Sequence, residues 1–305
     1  MRASLGPVFA LITGGGTGGH VYPALALADA LVARGHPTDT IRFVGAARGL
    51  EARAVPAAGY SIDLLPARGL QRGRSLRTFV ANVRMLGAMA VAVAGAARLV
   101  RALRPEVVVS VGGYASVPVV LAARWRRVPV VVHEQNARPG LANRLAVRLG
   151  ARPAVSLPGT ALRDAVVIGN PVRAEVLGIV RDPSAACALV GVVGGSLGSA
   201  RLNDAALGLY DRWRDRADRR VHHVTGPRRF EACARSLEAR RRPDDRLAYE
   251  LVAYEEQMDR LYAEATLCVC RAGAVTVAEL AAAGVPSVLV PWPGAADDHQ
   301  SANAA

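Results

Sequence analysis

Short apolar runs that stop at glycine alternate with longer segments of helical spacing along the whole chain. Val8–Thr13 ends at a glycine cluster, Tyr22–Arg34 reads as a helix, and Ile41–Val44 is a second run of strand length. Ser75–Leu103 has helical spacing and ends before Pro105, since the residue ahead of a proline is pushed out of the helical region. Val107–Val111 is a β-branched strand, Val117–Arg126 a helix, Val128–His133 a strand and Leu141–Leu149 a helix. The pattern then restarts. Gly191–Val193, His222–Thr225, Leu251–Ala253, Leu267–Cys270 and Ser287–Val290 have strand character. Helices are expected over Ala200–Arg212, Met258–Ala265 and Val275–Ala283. Near-continuous apolar strands separated by helices predict parallel sheets covered on both faces. The spacing predicts an α/β chain of two Rossmann-like doubly wound domains, 1–168 and 169–305, facing a cleft, with the break inside Leu162–Pro171. Ligands of such sheets bind where the strands end. A covering helix would normally follow Ser287–Val290, so C-terminal residues are expected to be missing.

Composition narrows the chemistry. The 305 residues are 51% apolar but only 5% aromatic, enough for two cores built mostly of Ala, Val and Leu. The formal net charge is +13 and every one of the 38 basic residues is Arg. Without Lys there is no Walker-type P-loop and no Schiff-base chemistry. The positive balance favours anionic partners such as phosphates or lipid headgroups. Cys187, Cys233, Cys268 and Cys270 form no zinc or CxxC pattern, and the last two are expected on one face of a strand as small core residues. Reduced thiols and the lack of a signal-type pattern in Met1–Leu11 point to the cytosol. Met85–Ala97 is too short to span a bilayer and too rich in Ala and Gly, so it is expected to be a packed helix.

Seven polar or glycine-rich segments sit at the predicted strand ends. Gly14-Gly15-Gly16-Thr17-Gly18-Gly19-His20 links a strand to a helix, where backbone N–H groups attract negative charge. It fits GxGxxG literally, but Val44-Gly45 supplies no acid to hold a ribose, which disfavours an NAD-dependent oxidoreductase. Gly112-Gly113-Tyr114 is a second such turn, so both are candidate acceptor or phosphate loops. His133-Glu134-Gln135-Asn136 places four hydrogen-bonding side chains together, as a loop holding sugar hydroxyls would. Asn170-Pro171-Val172-Arg173 brings an Arg that can neutralise phosphate, and Gly194–Ser199, with Ser196, can cradle a diphosphate without Lys. Cys270–Glu279 is again strand, turn and helix, with Glu279 suited to accept two ribose hydroxyls. Asp297-Asp298-His299-Gln300 can reach a sugar. No Asp-x-Asp occurs, so the leaving diphosphate is expected to be held by helix N-termini, backbone N–H groups and Arg, with no metal ligands and no required cofactor.

In this order the segments resemble the MurG family, the N-acetylglucosaminyltransferases that convert lipid I to lipid II in peptidoglycan synthesis. Phe43-Val44-Gly45, Gly49-Leu50-Glu51, Gly59-Tyr60, His223–Gly226 and Ala282–Pro286 add to the match, which covers nearly the whole chain. The resemblance implies a GT-B fold of glycosyltransferase family 28 and an inverting, metal-independent transfer. N-acetylglucosamine would move from UDP-GlcNAc to the muramyl hydroxyl of an undecaprenyl-diphosphate-linked acceptor, lipid I. Arg173, Ser196, Ala274, Val275, Thr276, Val277, Ala278, Glu279 and Gln300 match donor-binding positions. Thr17, Gly18, Gly19 and Asn136 match positions reaching the donor from the first domain. The uracil contact falls near Glu255, which is charged where relatives carry an aliphatic residue, and His299 replaces a Gln. The implied partners are the anionic inner leaflet, on whose cytoplasmic face the enzyme would sit peripherally, and other cell-wall synthesis and division proteins, with no nucleic acid.

Two roles stay open between residues. The acceptor hydroxyl must lose a proton, and either His20, of a residue type whose unperturbed pKa suits proton transfer near neutral pH, or Glu134 is the base. A basic, apolar segment predicts the membrane contact. Arg72, Arg74 and Arg77 lie beside Leu76, Phe79, Val80 and Val83 at helical spacing, with Trp125 among Arg124, Arg126 and Arg127 as an extension. The competing readings are a GT-B transferase with a soluble acceptor, a UDP-sugar epimerase, and a non-catalytic surface binder.

Overall fold

A computed structural model describes residues 7–47, 49–66, 76–181, 187–195 and 198–305, with backbone only for 76–86. The chain divides into two units, Met1–Pro171 and Val172–Ala305.

The first unit runs β1 (Ala10–Thr13), α1 (Gly18–Ala33), β2 (Ile41–Ala46), α2 (Glu51–Ala57), β3 (Ser61–Leu65), α3 (Leu76–Leu103), β4 (Val107–Ser110), α4 (Val117–Trp125), β5 (Val130–Glu134), α5 (Leu141–Arg148), β6 (Arg152–Val155) and β7 (Val166–Val167). All strands are parallel, in the order β3-β2-β1-β4-β5-β6-β7. Successive strand residues face opposite sides, so each strand feeds two cores. Leu11, Val44 and Val108 pack with Ala92, Ala96, Val100 and Val119 of α3 and α4. Ile12, Ile41 and Phe43 pack with Val21, Leu25, Ala28 and Val55 of α1 and α2. Ala92 and Ala96 of α3 are buried in this core while Ala90 and Ala94 are exposed, so the helix packs through one face only. Among the described residues no helix is long and apolar enough to cross one.

The second unit runs α6 (Ala174–Leu177), β8 (Ala188–Val193), α7 (Ala200–Trp213), β9 (Arg219–Val224), α8 (Phe230–Glu238), β10 (Ala248–Val252), α9 (Met258–Glu264), β11 (Leu267–Cys270), α10 (Ala274–Ala282), β12 (Ser287–Leu289) and α11 (His299–Ala304). Its parallel sheet has the order β10-β9-β8-β11-β12. Cys268 and Cys270 share one buried face with Tyr262 and Leu280, and burial pushes both thiols up to about 12.

Several sequence expectations are corrected. The first helix starts at Gly18 rather than Tyr22, because Thr17 is in extended geometry and the glycines already turn helically behind it. Leu162–Pro171 is not only a linker: Val166–Val167 pairs in parallel with Ala154–Val155, an edge strand too short and too exposed to show a pattern.

Both strand orders reverse direction at one point, between β1 and β4 in the first unit and between β8 and β11 in the second. The connections leaving these strand pairs diverge to opposite faces of the sheet, opening a crevice at the strand ends. Those ends carry the two glycine turns of the first unit and, in the second, Gly194-Gly195 after β8 and the Arg271–Gly273 turn after β11.

Candidate active site

In the first unit the two glycine turns touch backbone to backbone. A Cβ on Gly113 would fall 2.6 Å from the Gly15 carbonyl oxygen, so a side chain there would force the loops apart. Gly16 has φ +95°, and the Tyr114 ring covers it, with Cε1 3.2 Å from where a Cβ would stand. Thr17 is the N-cap of α1 but makes no capping bond with its hydroxyl; its Oγ1 lies 3.3 Å from Nδ1 of His20 instead. His20 therefore projects from the first turn of the helix, half-buried, beside Gly18 and the exposed Thr17 and Gly19.

Behind this loop sits a carboxylate that appears in the sequence reading only as one matching residue among many. Glu51 is 2% exposed and accepts N–H bonds from Gly16 and Ala46, both 2.9 Å. Its charge, after burial, holds the Tyr114 phenol above its usual range. The Gly16 N–H is therefore already taken, and a phosphate at this turn would have to be held by other N–H groups.

The loop after β5 proves largely internal. His133 places Nε2 3.0 Å from the Gly169 carbonyl and Nδ1 3.0 Å from the Gln135 amide, so it carries its proton on Nε2. Burial draws its pKa down. Glu134, 2% exposed, accepts from the backbone and side-chain nitrogens of Asn136 (3.0 and 3.1 Å), from the Gly140 N–H (2.9 Å) and from Asn143 (2.8 Å). A carboxylate has room for about four such bonds. Of the four side chains expected to hold sugar hydroxyls, only Asn136 is not buried.

In the second unit Glu279 lies on α10, 4% exposed, past the first turn. Arg173, from the N-cap of α6, donates to its Oε1 through Nε and Nη2, each at 2.9 Å, and Tyr262 donates to Oε2 at 3.2 Å. Burial raises the Glu279 pKa, and Arg173 and Tyr262 oppose that rise. The sequence reading assigns Arg173 to a phosphate; the structure spends it on Glu279. Ser199 caps α7 by accepting from Leu202 and also accepts from Arg271 Nη2 at 2.7 Å. Arg271 Nη1 reaches the Val290 and Pro291 carbonyls, both 3.0 Å. One guanidinium thus joins the turns after β8, β11 and β12, a role the surplus of Arg conceals in the sequence. Ala274, Val275, Thr276, Val277 and Ala278 form the half-buried start of α10. The Gln300 side chain accepts the Trp292 N–H at 2.8 Å. Glu255 lies 2.9 Å from Nε2 of His222 on β9 and accepts the Gln257 N–H of its own loop, so its carboxylate is engaged inside the second unit.

Ser196, Arg72 and Arg74 lie outside the described residues, and the side chains of Leu76, Arg77, Phe79, Val80 and Val83 on α3 do too. Trp125, 75% exposed, ends α4 with the Arg126 guanidinium 5.9 Å from its ring centre.

Residues 10–154 match the glycosyltransferase family 28 N-terminal domain, and residues 189–305 match the C-terminal domain of the same family. The chain belongs to glycosyltransferase family 28. It is 41% identical over 96% of its length to a protein of Salinibacter ruber, and 44% identical over 96% to one of Halorhodospira halophila; 80% of each relative is covered. Both relatives are named UDP-N-acetylglucosamine--N-acetylmuramyl-(pentapeptide) pyrophosphoryl-undecaprenol N-acetylglucosamine transferase. The crystal structure of Acinetobacter baumannii MurG is similar at TM-score 0.74 and 30% identity, covering 98% of this chain and 82% of that one. Family membership makes the chain a glycosyltransferase, and the two Rossmann-like units are the architecture that the resemblance implies for GT-B enzymes.

Proposed function

We propose that the chain transfers N-acetylglucosamine from UDP-GlcNAc to the muramyl 4-hydroxyl of undecaprenyl-diphosphate-linked N-acetylmuramyl-pentapeptide, with inversion at the anomeric carbon. The observation that carries the donor side is the carboxylate of Glu279, held ready by Arg173 and Tyr262 at the strand-order reversal of the second unit. A carboxylate fixed in this way can accept both ribose hydroxyls without reorganising on binding. The glycine turn after β8, tied through Ser199 to Arg271 ahead of α10, supports the diphosphate with backbone N–H groups, and no metal is required. The attacking oxygen forms its bond to the anomeric carbon as the bond to UDP breaks, and its proton passes to a base. His20 is that base; the four hydrogen bonds already filling Glu134 support it over the carboxylate.

The enzyme works peripherally on the cytoplasmic face of the membrane. Trp125, exposed among Arg124, Arg126 and Arg127, supports contact with anionic lipid, at about 1 kcal/mol per Arg near such a surface. Arg72, Arg74, Arg77 and the apolar residues beside them belong to the same proposed surface.

Turnover of labelled UDP-GlcNAc with and without lipid I tests the assignment. Transfer only in the presence of lipid I is expected; lipid-independent loss of the donor, or its epimerisation, would reject it. Undiminished turnover in chelator is expected, and binding to anionic but not zwitterionic vesicles should fall when Trp125 is replaced by Ala.

A further inference from the structure

The geometry points to Glu51 as a positioning residue for the transfer, acting through Gly16 and the Gly14–Gly19 turn on His20. Two bonds make the link. Oε2 takes the N–H of Gly16, immediately before the N-cap Thr17, and Oε1 takes the N–H of Ala46 at the end of β2. The carboxylate thus ties the turn leaving β1 to the end of the neighbouring strand, and the buried side chain has no water to compete for either bond. Thr17 follows Gly16 directly and its Oγ1 touches Nδ1 of His20 one helical turn on, so the place of the imidazole depends on where Gly16 is pinned.

Three glycines from separate stretches make room for this one group. A Cβ on Gly15, Gly45 or Gly49 would stand within the van der Waals shell of the Glu51 side chain. Gly45 and Gly49 are absent from the positive-φ positions, so their backbone does not require glycine. The space they leave is what the carboxylate occupies. Gln cannot replace Glu here without loss, because both N–H groups need an acceptor and an amide supplies only one oxygen. Catalytic groups depend on such support, and small misplacements cost large factors in rate.

The inference rests on His20 being the base, and a double-mutant cycle separates the two ideas. Glu51→Gln in the full chain is expected to lower kcat at least tenfold. UDP affinity should stay within about twofold, since Glu279 and the other groups assigned to the nucleotide are on the other unit. In a His20→Ala background the same change should cost nothing further, because a group acting through His20 has nothing left to position. Gly49→Ala, which displaces the carboxylate without altering its charge, should reproduce the kcat defect. Asp63→Asn, which breaks the Arg42–Asp63 pair between β2 and β3, should leave kcat unchanged and controls for general loosening of the unit. If Glu51→Gln does not fold, Glu51→Asp, too short to reach both N–H groups, takes its place in the cycle. Wild-type kcat in Glu51→Gln, or losses that multiply with His20→Ala, would overturn the inference while leaving His20 as base. Normal turnover in His20→Ala would instead remove the base assignment itself.

Discussion

Arg173 sets two nitrogens, Nε and Nη2, on a single oxygen of Glu279, 106 residues further along the chain. Among the described residues, the other carboxylate oxygen receives the Tyr262 hydroxyl, at 3.2 Å. Charge-assisted hydrogen bonds are worth about 1.5–3 kcal/mol. Glu279→Ala should therefore weaken UDP binding roughly tenfold or more in a folded protein, measured by calorimetric titration.

The same pair predicts a pH dependence. Burial raises the Glu279 pKa, so the carboxylate loses its charge at a higher pH than an exposed glutamate does as the solution is acidified. UDP affinity should fall as pH drops through that raised value. Arg173→Ala removes the largest opposing influence and should move the midpoint to still higher pH. An unmoved midpoint would show that Arg173 does not tune the carboxylate.

His20→Ala should lower turnover by about 10²–10⁴, the usual range for a lost general base, with UDP affinity nearly intact. Steady-state rates at saturating lipid acceptor check this.

Glu134→Gln should act on stability. With one acceptor oxygen in place of two, a donor among Asn136, Gly140 and Asn143 loses its partner, at about 1–3 kcal/mol where the buried Asn143 is the one left unpaired. Denaturant unfolding should show a lower midpoint. Undiminished stability with lost turnover would return Glu134 to the chemistry.

His223 predicts an acid-sensitive fold in the second unit. Fully buried, it bonds Asn203 at 3.1 Å and Tyr249 at 2.8 Å, and burial, with the neighbouring His222, draws its pKa down to about 4. The unfolded chain binds a proton from about pH 6.5 downward and the native chain does not until about 4. Stability should be complete above about 6.5, fall by about 3 kcal/mol between 6.5 and 4, and level off below. His223→Gln should flatten that part of the curve.

The apolar runs Val8–Thr13, Val107–Val111, Val128–His133 and Leu267–Cys270 determined by themselves that the chain is a pair of parallel α/β sheets. A parallel strand buried on both faces needs little more than an unbroken stretch of β-branched residues. The glycine turns and Glu279 were legible too, since backbone approach and strand-end position are local properties. Other features were not local, and only the tertiary structure decided them. Whether Arg173 faces a phosphate or Glu279 depends on a contact between segments 106 residues apart. Glu134 looked as available as His20 until its loop folded round and filled its lone pairs. Arg271 was one of 38 identical cations until three turns converged on it. Glu51 stood in the sequence only as one matching residue among many, because its partners are backbone N–H groups, which every residue but proline carries. Which of them meet a given carboxylate is set by the register of β1 beside β2, and no side-chain pattern encodes that.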